Sequence, residues 1–253
     1  MRTSPRAFLP PGITPQQASS TKIKTALQWL LLCHYSTEAN VRRKLGISET
    51  GYLAQLQKKG LVRAVQAPSI RCNKVYMLTE DGLAKALSLS EELVDYDTDS
   101  GSIVHRLVKH QLAVQQAILA LPNITEFRPE RLIHEADLSG KKRPDALVRT
   151  AATQGHWAAL EVELTPKRGR DLDQALLANV QSIVNRCCVA VLYVTNIQGI
   201  ISCYRGHLDR PLPLWIREPG TGRWKSTGET LVISEDVRNR FHFVRSENLL
   251  RGL

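Results

Sequence analysis

The run Trp157-Ala158-Ala159-Leu160-Glu161-Val162-Glu163-Leu164 puts two carboxylates inside an apolar stretch. Its aliphatic content reads as a short buried strand. So does Pro144-Asp145-Ala146-Leu147-Val148, which lies upstream across a Gly- and Thr-containing turn, Thr150 to Gly155. Side chains two apart on a strand point to one face, so Glu161 and Glu163 project together. If the two strands pair, Asp145 joins them. Three carboxylates at the edge of an apolar sheet repel one another unless something positive sits between them, and a divalent cation held by oxygen ligands is the usual answer. The alternative is a set of strand-end carboxylates paired with neighbouring Lys and Arg. Either way, these two strands must be arranged so that the charges are compensated.

The charge of the whole chain is distributed unevenly. The 253 residues carry a formal net charge of +10. Residues 1–90 hold 13 Lys and Arg against 4 Asp and Glu, whereas residues 91–253 hold 21 against 20. A basic module joined to a nearly neutral one points to a polyanion-binding domain coupled to something else. No apolar run approaches the length of a membrane span, and Met1 to Pro15 has no signal-peptide hydrophobic stretch. The five cysteines are odd in number and show no CxxC spacing, which fits reduced thiols in a cytoplasm better than disulfides or structural zinc.

Residues 1–20 are rich in Pro, Ser, Thr and Gln and read as a flexible arm. From Thr21 apolar residues recur at helical spacing, as Ile23, Leu27, Leu30 and Leu31. A second helix starts at the N-cap Thr37 and stops at Gly46. A third begins at Ser48 and ends at Lys58-Lys59-Gly60. Two strands, Leu61 to Val65 and Lys74 to Leu78, and a helix from Thr79 complete a unit spanning 21–90. Helix, helix, helix, hairpin and helix in this order resembles a winged helix-turn-helix. The third helix would then enter the major groove with Ser48, Thr50, Gln55, Lys58 and Lys59. Arg42, Arg43 and Lys44 on the preceding helix, and Arg71 and Lys74 on the wing, are placed for phosphates. Double-stranded DNA is the expected partner, and no membrane.

Glu91 to Ser102 is acidic and polar and reads as a linker, leaving 103–253 as a second domain. There a helix from Ile103 to Leu121 carries the stripe Leu107, Val114, Ala117 and Ile118. Strand-like Arg131 to Ile133, the Asp145 strand and the Glu163 strand follow, then a helix from about Leu172 to Asn185 and a strand from Cys187 to Thr195. This is an α/β (α+β) pattern, a mixed sheet flanked by helices. Beyond Asn196, Pro, Gly and Trp suggest a peripheral strand-and-loop extension.

A Pro-Asp on one strand and Glu-x-Glu on the next, inside helix, three strands, helix and strand, resembles the PD-(D/E)xK, restriction-endonuclease-like fold. The resemblance implies that Asp145 and Glu161 bind metal, Mg²⁺ or Mn²⁺. Glu163 stands where that family has Lys; a third carboxylate cannot lend positive charge, but it can bind a second metal or accept a proton. Lys141, Lys142 and Arg143 before Asp145, and Lys167, Arg168 and Arg170 after the Glu pair, are cations that could hold a scissile backbone. Lys167 completes the expected catalytic set. His105 and His110 read as a helix cap and a surface residue, and Tyr193 as core. No Gly-rich phosphate loop appears.

With His105-Arg106-Leu107 opening a helix, Arg143-Pro144-Asp145 and Glu161-Val162-Glu163, the chain resembles the MobC-type plasmid relaxases and the related replication-relaxation proteins. That resemblance implies metal-dependent nicking of one DNA strand at a plasmid transfer origin, with accessory mobilisation and coupling proteins as further partners. Two rivals stay open: a DNA-binding regulator with an inactive nuclease-like domain, and an endonuclease serving a transposon or a defence system.

Overall fold

Thr14 opens the first helix among the described residues. The structure, a computed structural model, describes residues 14–134, 138, 142–247, 249 and 250. Thr14 caps α1 (Pro15–Cys33) reciprocally: its hydroxyl accepts from Gln17 N, and its own N–H donates to Gln17 Oε1 at 2.8 Å. Residues 15–20, expected within a flexible arm, are therefore helical. Their composition hides a start signal, a capping box with Pro at the first helical position. The rest of the expected arm, and Lys141, lie outside the described residues.

The chain divides after His105 into two compact units. In the first, β1 (Tyr35–Ser36) precedes α2 (Glu38–Leu45), which Thr37 caps by accepting from Asn40 N. Gly46 ends α2 at φ 64°, a left-handed conformation that glycine adopts without strain. The next helix, α3 (Tyr52–Lys58), starts later than expected. Its cap is not Ser48 but the Glu38 carboxylate, which accepts from Tyr52 N at 2.8 Å and Leu53 N at 2.9 Å. Ser48 and Thr50 thus belong to the loop ahead of the helix.

Antiparallel β2 (Val62–Gln66) and β3 (Lys74–Leu78) form the expected hairpin, but β1 pairs with β3 as well, giving a three-stranded sheet in the order β1-β3-β2. The final helix, α4 (Glu80–Ser88), packs so closely that a Cβ on Gly82 would lie 1.8 Å from the Leu61 carbonyl oxygen. Leu27, Leu30 and Leu31 of α1, Leu53 and Leu56 of α3, and Val75, Met77 and Leu78 of β3 are all buried. Each such side chain contributes about 1.5–3 kcal/mol relative to exposure. Residues 91–102, expected as a linker, are tied into this unit: the Tyr96 hydroxyl accepts from Leu78 N at 2.7 Å and donates to His34 O at 2.6 Å.

The second unit opens with α5 (His105–Ala120), burying Val108, Leu112, Ala113, Val114, Ala117 and Ile118. Leu107, expected on that stripe, is exposed. There follow β4 (Ile124–Pro129), β5 (Ala146–Thr150), β6 (Ala158–Val162), α6 (Gly169–Val184), β7 (Val191–Thr195) and α7 (Gln198–Leu208). The chain continues through β8 (Leu212–Arg217), β9 (Trp224–Leu231), α8 (Glu235–Arg238) and β10 (Phe241–Arg245). The first strand falls ahead of Arg131 to Ile133, where a short 3-10 turn, Glu130–Leu132, sits instead.

Five strands form one sheet in the order β10-β7-β6-β5-β4. Its β4-β5 and β5-β6 pairs are antiparallel and its β6-β7 and β7-β10 pairs parallel. Leu172, Leu176 and Val180 of α6 and Ile200 and Tyr204 of α7 share a core with Ala159, Val191 and Tyr193 of the sheet. The chain is of mixed α+β class, with mixed and antiparallel sheets packed against helices. No helix among the described residues is long and apolar enough to cross a membrane.

Candidate functional site

Antiparallel pairing sets the start of β5 beside the end of β6. Ala146 lies opposite Leu160, which places Asp145 next to Glu161. The contact is made through the backbone: Asp145 Oδ2 accepts from Val162 N, between the two glutamates, at 2.7 Å. On β6 the face that carries Ala159 into the core also carries Glu161 and Glu163. Both are almost fully buried, at 3% and 4% exposure. Neighbouring β7 runs parallel, with Tyr193 opposite Glu161. The carboxylates therefore lie at the carboxyl ends of two parallel strands, just ahead of α6, the usual place for a site in a sheet of this kind.

Each acid has its own nitrogen partner. Lys142 Nζ donates to Glu161 Oε1, and Lys167 Nζ donates to Glu163 Oε1. The His110 imidazole meets Asp145 Oδ1 at 3.0 Å. These are the pairings that serve as the alternative to a metal. Among the described residues no group of three or more His, Cys, Asp or Glu side chains is arranged as a ligand set for a metal ion.

The electrostatics follow from burial. Desolvation pushes the Glu161 carboxyl up to about 7, opposed by Lys142 and reinforced by Asp145 and Glu163. His110 is raised above its ordinary value by its hydrogen bond to Asp145, against the effect of its own burial. Tyr193 is raised well above the ordinary phenol range by burial and then by Glu161 and Glu163, and its hydroxyl accepts from Asn179 Nδ2 at 2.7 Å. It is core, as its strand suggests. Tyr204 is raised in the same way, and its hydroxyl accepts from Lys167 N at 3.3 Å, steadying the segment that carries Lys167.

No protein-family model, curated protein or solved structure matches the chain. The residues must therefore carry the functional reading themselves.

Of the expected catalytic set, Asp145, Glu161, Glu163 and Lys167 come together. Lys142 joins them, while Arg143 and Arg168 are exposed nearby in sequence. Arg170 is engaged otherwise: its guanidinium donates to Asp171 Oδ1 at 2.6 and 3.0 Å and lies 5.7 Å from the centre of the Trp224 ring. His110 was expected at the surface and is instead part of the site. The signal was in α5, because His110 extends the stripe of Val114 and Ala117 at helical spacing. Glu130 is the other unanticipated neighbour. Its N–H donates to Asp145 O at 3.0 Å, and desolvation and the Asp145 charge raise its carboxyl above the ordinary value.

In the first unit, Arg43, Lys44, Ser48, Thr50, Gln55, Lys58, Lys59, Arg71 and Lys74 are all exposed. Lys44 and Lys74 lie over the Trp29 and Tyr76 rings at 5.5 and 5.6 Å. Arg42 differs: it is partly buried, and its Nη2 donates to the Ser48 carbonyl, so it holds the loop ahead of α3 and is not free for phosphate.

Proposed function

We propose that this chain is a sequence-specific, divalent-metal-dependent DNA endonuclease of relaxase type, nicking one strand at a plasmid transfer origin. The observation that carries the reading is the Asp145–Val162 hydrogen bond, which gathers Asp145 and the Glu161-Val162-Glu163 segment at one end of an apolar sheet. The order α5-β4-β5-β6-α6-β7, with acids at the start of β5 and the end of β6, supports a PD-(D/E)xK-like domain. The order α1-β1-α2-α3-β2-β3-α4 supports a winged helix, with α3 presenting Gln55, Lys58 and Lys59 to a groove.

Asp145, Glu161 and Glu163 offer carboxylate oxygens, the hard ligands that Mg²⁺ and Mn²⁺ prefer, and are the residues that would hold the cation in exchange for their contacts to His110, Lys142 and Lys167. When bound, such an ion supplies a water of lowered pKa and neutralises charge on phosphoryl oxygens. The chain's own residues do the rest. His110 and Val162 N fix the Asp145 carboxylate. Lys142 and Lys167 are long, flexible cations able to exchange a glutamate for a phosphate oxygen. Burial on the core face of β6 keeps water away from Glu161.

One observation favours a second reading, a DNA-binding regulator with an inactive second unit: Glu161 and Glu163 already have lysine partners, and Asp145 a histidine. Supercoiled DNA of the chain's own element, incubated with the protein and Mg²⁺ or Mn²⁺, separates the two. The endonuclease yields an open circle, and primer extension on both strands stops at one place on one strand. Binding without any nick supports the regulator. Paired stops on both strands favour a transposon or defence endonuclease.

A further inference from the structure

After β7 the chain builds a ribbon that the acidic site does not require. β8 and β9 form a two-stranded sheet of their own. β8 anchors it: Leu212 is buried in the core, and Trp215 Nε1 donates to Asp173 Oδ2, on α6, at 3.2 Å. β9 is almost unattached, with Lys225 through Leu231 all exposed. Natural proteins blunt such an open edge with charge. Here the cations gather at the turn end of the ribbon, and Glu229 lies further along β9. From Arg217 to Lys225, around that turn, there are three cations, Arg217, Arg223 and Lys225, against Glu218 alone.

Trp224 links this ribbon to the acidic site. Its ring is within reach of two guanidiniums, Arg217 at 5.3 Å and Arg170 at 5.7 Å. Arg170 is in the first turn of α6, just after Lys167, whose ammonium rests on Glu163. Basic surface therefore extends from the acidic site through exposed Arg168 and half-buried Arg170 onto the ribbon, with Asp171 and Glu218 the acids along it.

We infer that the β8–β9 ribbon is a second nucleic-acid contact, holding a DNA strand by its phosphates beside the acidic site. The inference rests on the endonuclease reading for the strand it holds, and on charge complementarity for the contact itself. Arginine forks and lysine are the groups that position a nucleic-acid backbone, and cation–π contact with Trp224 orders two of those forks in advance. Exposed Ile216, Leu231 and Val232 make a second copy of this chain the competing occupant.

The test uses the full chain with Arg223→Glu and Lys225→Glu together, both exposed, and a control with the same charge change at Arg238 and Arg240 around α8. Fluorescence anisotropy measures affinity for a short duplex across a salt series. Losing two phosphate contacts flattens the slope of log K against log salt by about 2, and affinity at low salt falls at least about tenfold. The milder pair Arg223→Ser and Lys225→Ser shows the same change at smaller size. A ribbon variant indistinguishable from the control overturns the inference. So does a change in molar mass by light scattering with an unaltered DNA slope, which assigns the ribbon to a second copy. Nicking is read separately. Loss of binding in the ribbon variant, with no nicking even by the wild type, sinks the endonuclease reading and leaves the ribbon contact standing. Wild-type nicking with an unaffected ribbon variant sinks the contact alone.

Discussion

The helices of the first unit and the acidic site of the second treat positive charge in opposite ways. In the first, Arg43, Lys58, Lys59 and Arg71 stand exposed on α2, α3 and the β2–β3 hairpin, with no acidic partner at salt-bridge distance among the described residues. In the second, Lys142 and Lys167 fold onto buried glutamates. Exposed, unpaired cations contribute little to stability, so a cluster of them is best explained by a partner outside the chain. Cations on buried acids are different: removing one strands a desolvated charge, which is costly. The same residue types therefore stand free on the helices and hairpin of the first unit, whereas at Lys142 and Lys167 of the second they form an internal electrostatic balance that a substrate or a metal could disturb.

The sharpest way to break this contrast is at the acids. Asp145→Ala, Glu161→Ala or Glu163→Ala should lower divalent-metal-dependent open-circle formation by at least about a hundredfold, the scale of losing one electrostatic group at a reaction centre. Duplex affinity should stay near wild type. Nicking by the triple variant at the wild-type rate would leave the carboxylates a purely structural role.

Next in size is the interface. Neutralising Lys58, Lys59 and Lys74 together should reduce the salt slope of duplex binding by up to about 2.7, at about 0.9 per phosphate contact, with open-circle chemistry at saturating protein unaffected. An unchanged slope would place the DNA contact elsewhere.

A third test concerns stability and pH, in chelator and without DNA. The folded pKa of Glu161, about 7, lies above its ordinary value of 4.5. The folded chain therefore holds this proton more tightly than the unfolded one. Its stabilising effect is complete below pH 4.5 and is lost as pH rises through about 7. Glu161→Gln keeps the neutral form throughout, so its stability relative to wild type should rise by roughly 1–3 kcal/mol between pH 4.5 and pH 8. Thermal or urea melts at both pH values read the difference; a gap that does not change with pH would mean that Lys142 keeps Glu161 ionised.

The smallest effect tests the frame of the basic unit. Thr37→Ala removes the cap of α2 and should cost about 1 kcal/mol in a urea melt, leaving the salt slope of DNA binding as it was. A slope that falls with the cap would mean that α2 positions the contact residues and does not merely carry them.

Much of this was legible in the chain itself. Thr37, Gly46 and Thr79 mark helix ends by local chemistry, and the carboxylates in the apolar run of β6 mark the place where charge must be compensated. The capping box at Thr14 and Gln17 was equally local, but lay inside a polar stretch without apolar period. Other features depend on residues far apart in sequence. Glu38 caps α3 and displaces its start past Ser48 and Thr50. Tyr96 pins the expected linker to His34 and Leu78.

What the sequence determined by itself is the set of elements and the presence of an electrostatic problem, because periodicity, caps and composition act over a few residues. Which cation answers which acid was decided only by the tertiary structure. That choice depends on the antiparallel register of β5 and β6, which sets Asp145 beside Val162, and on the packing of α5, which turns His110 inward. Neither is a property of any short stretch of chain, since both are fixed by burying apolar faces that lie far apart in sequence.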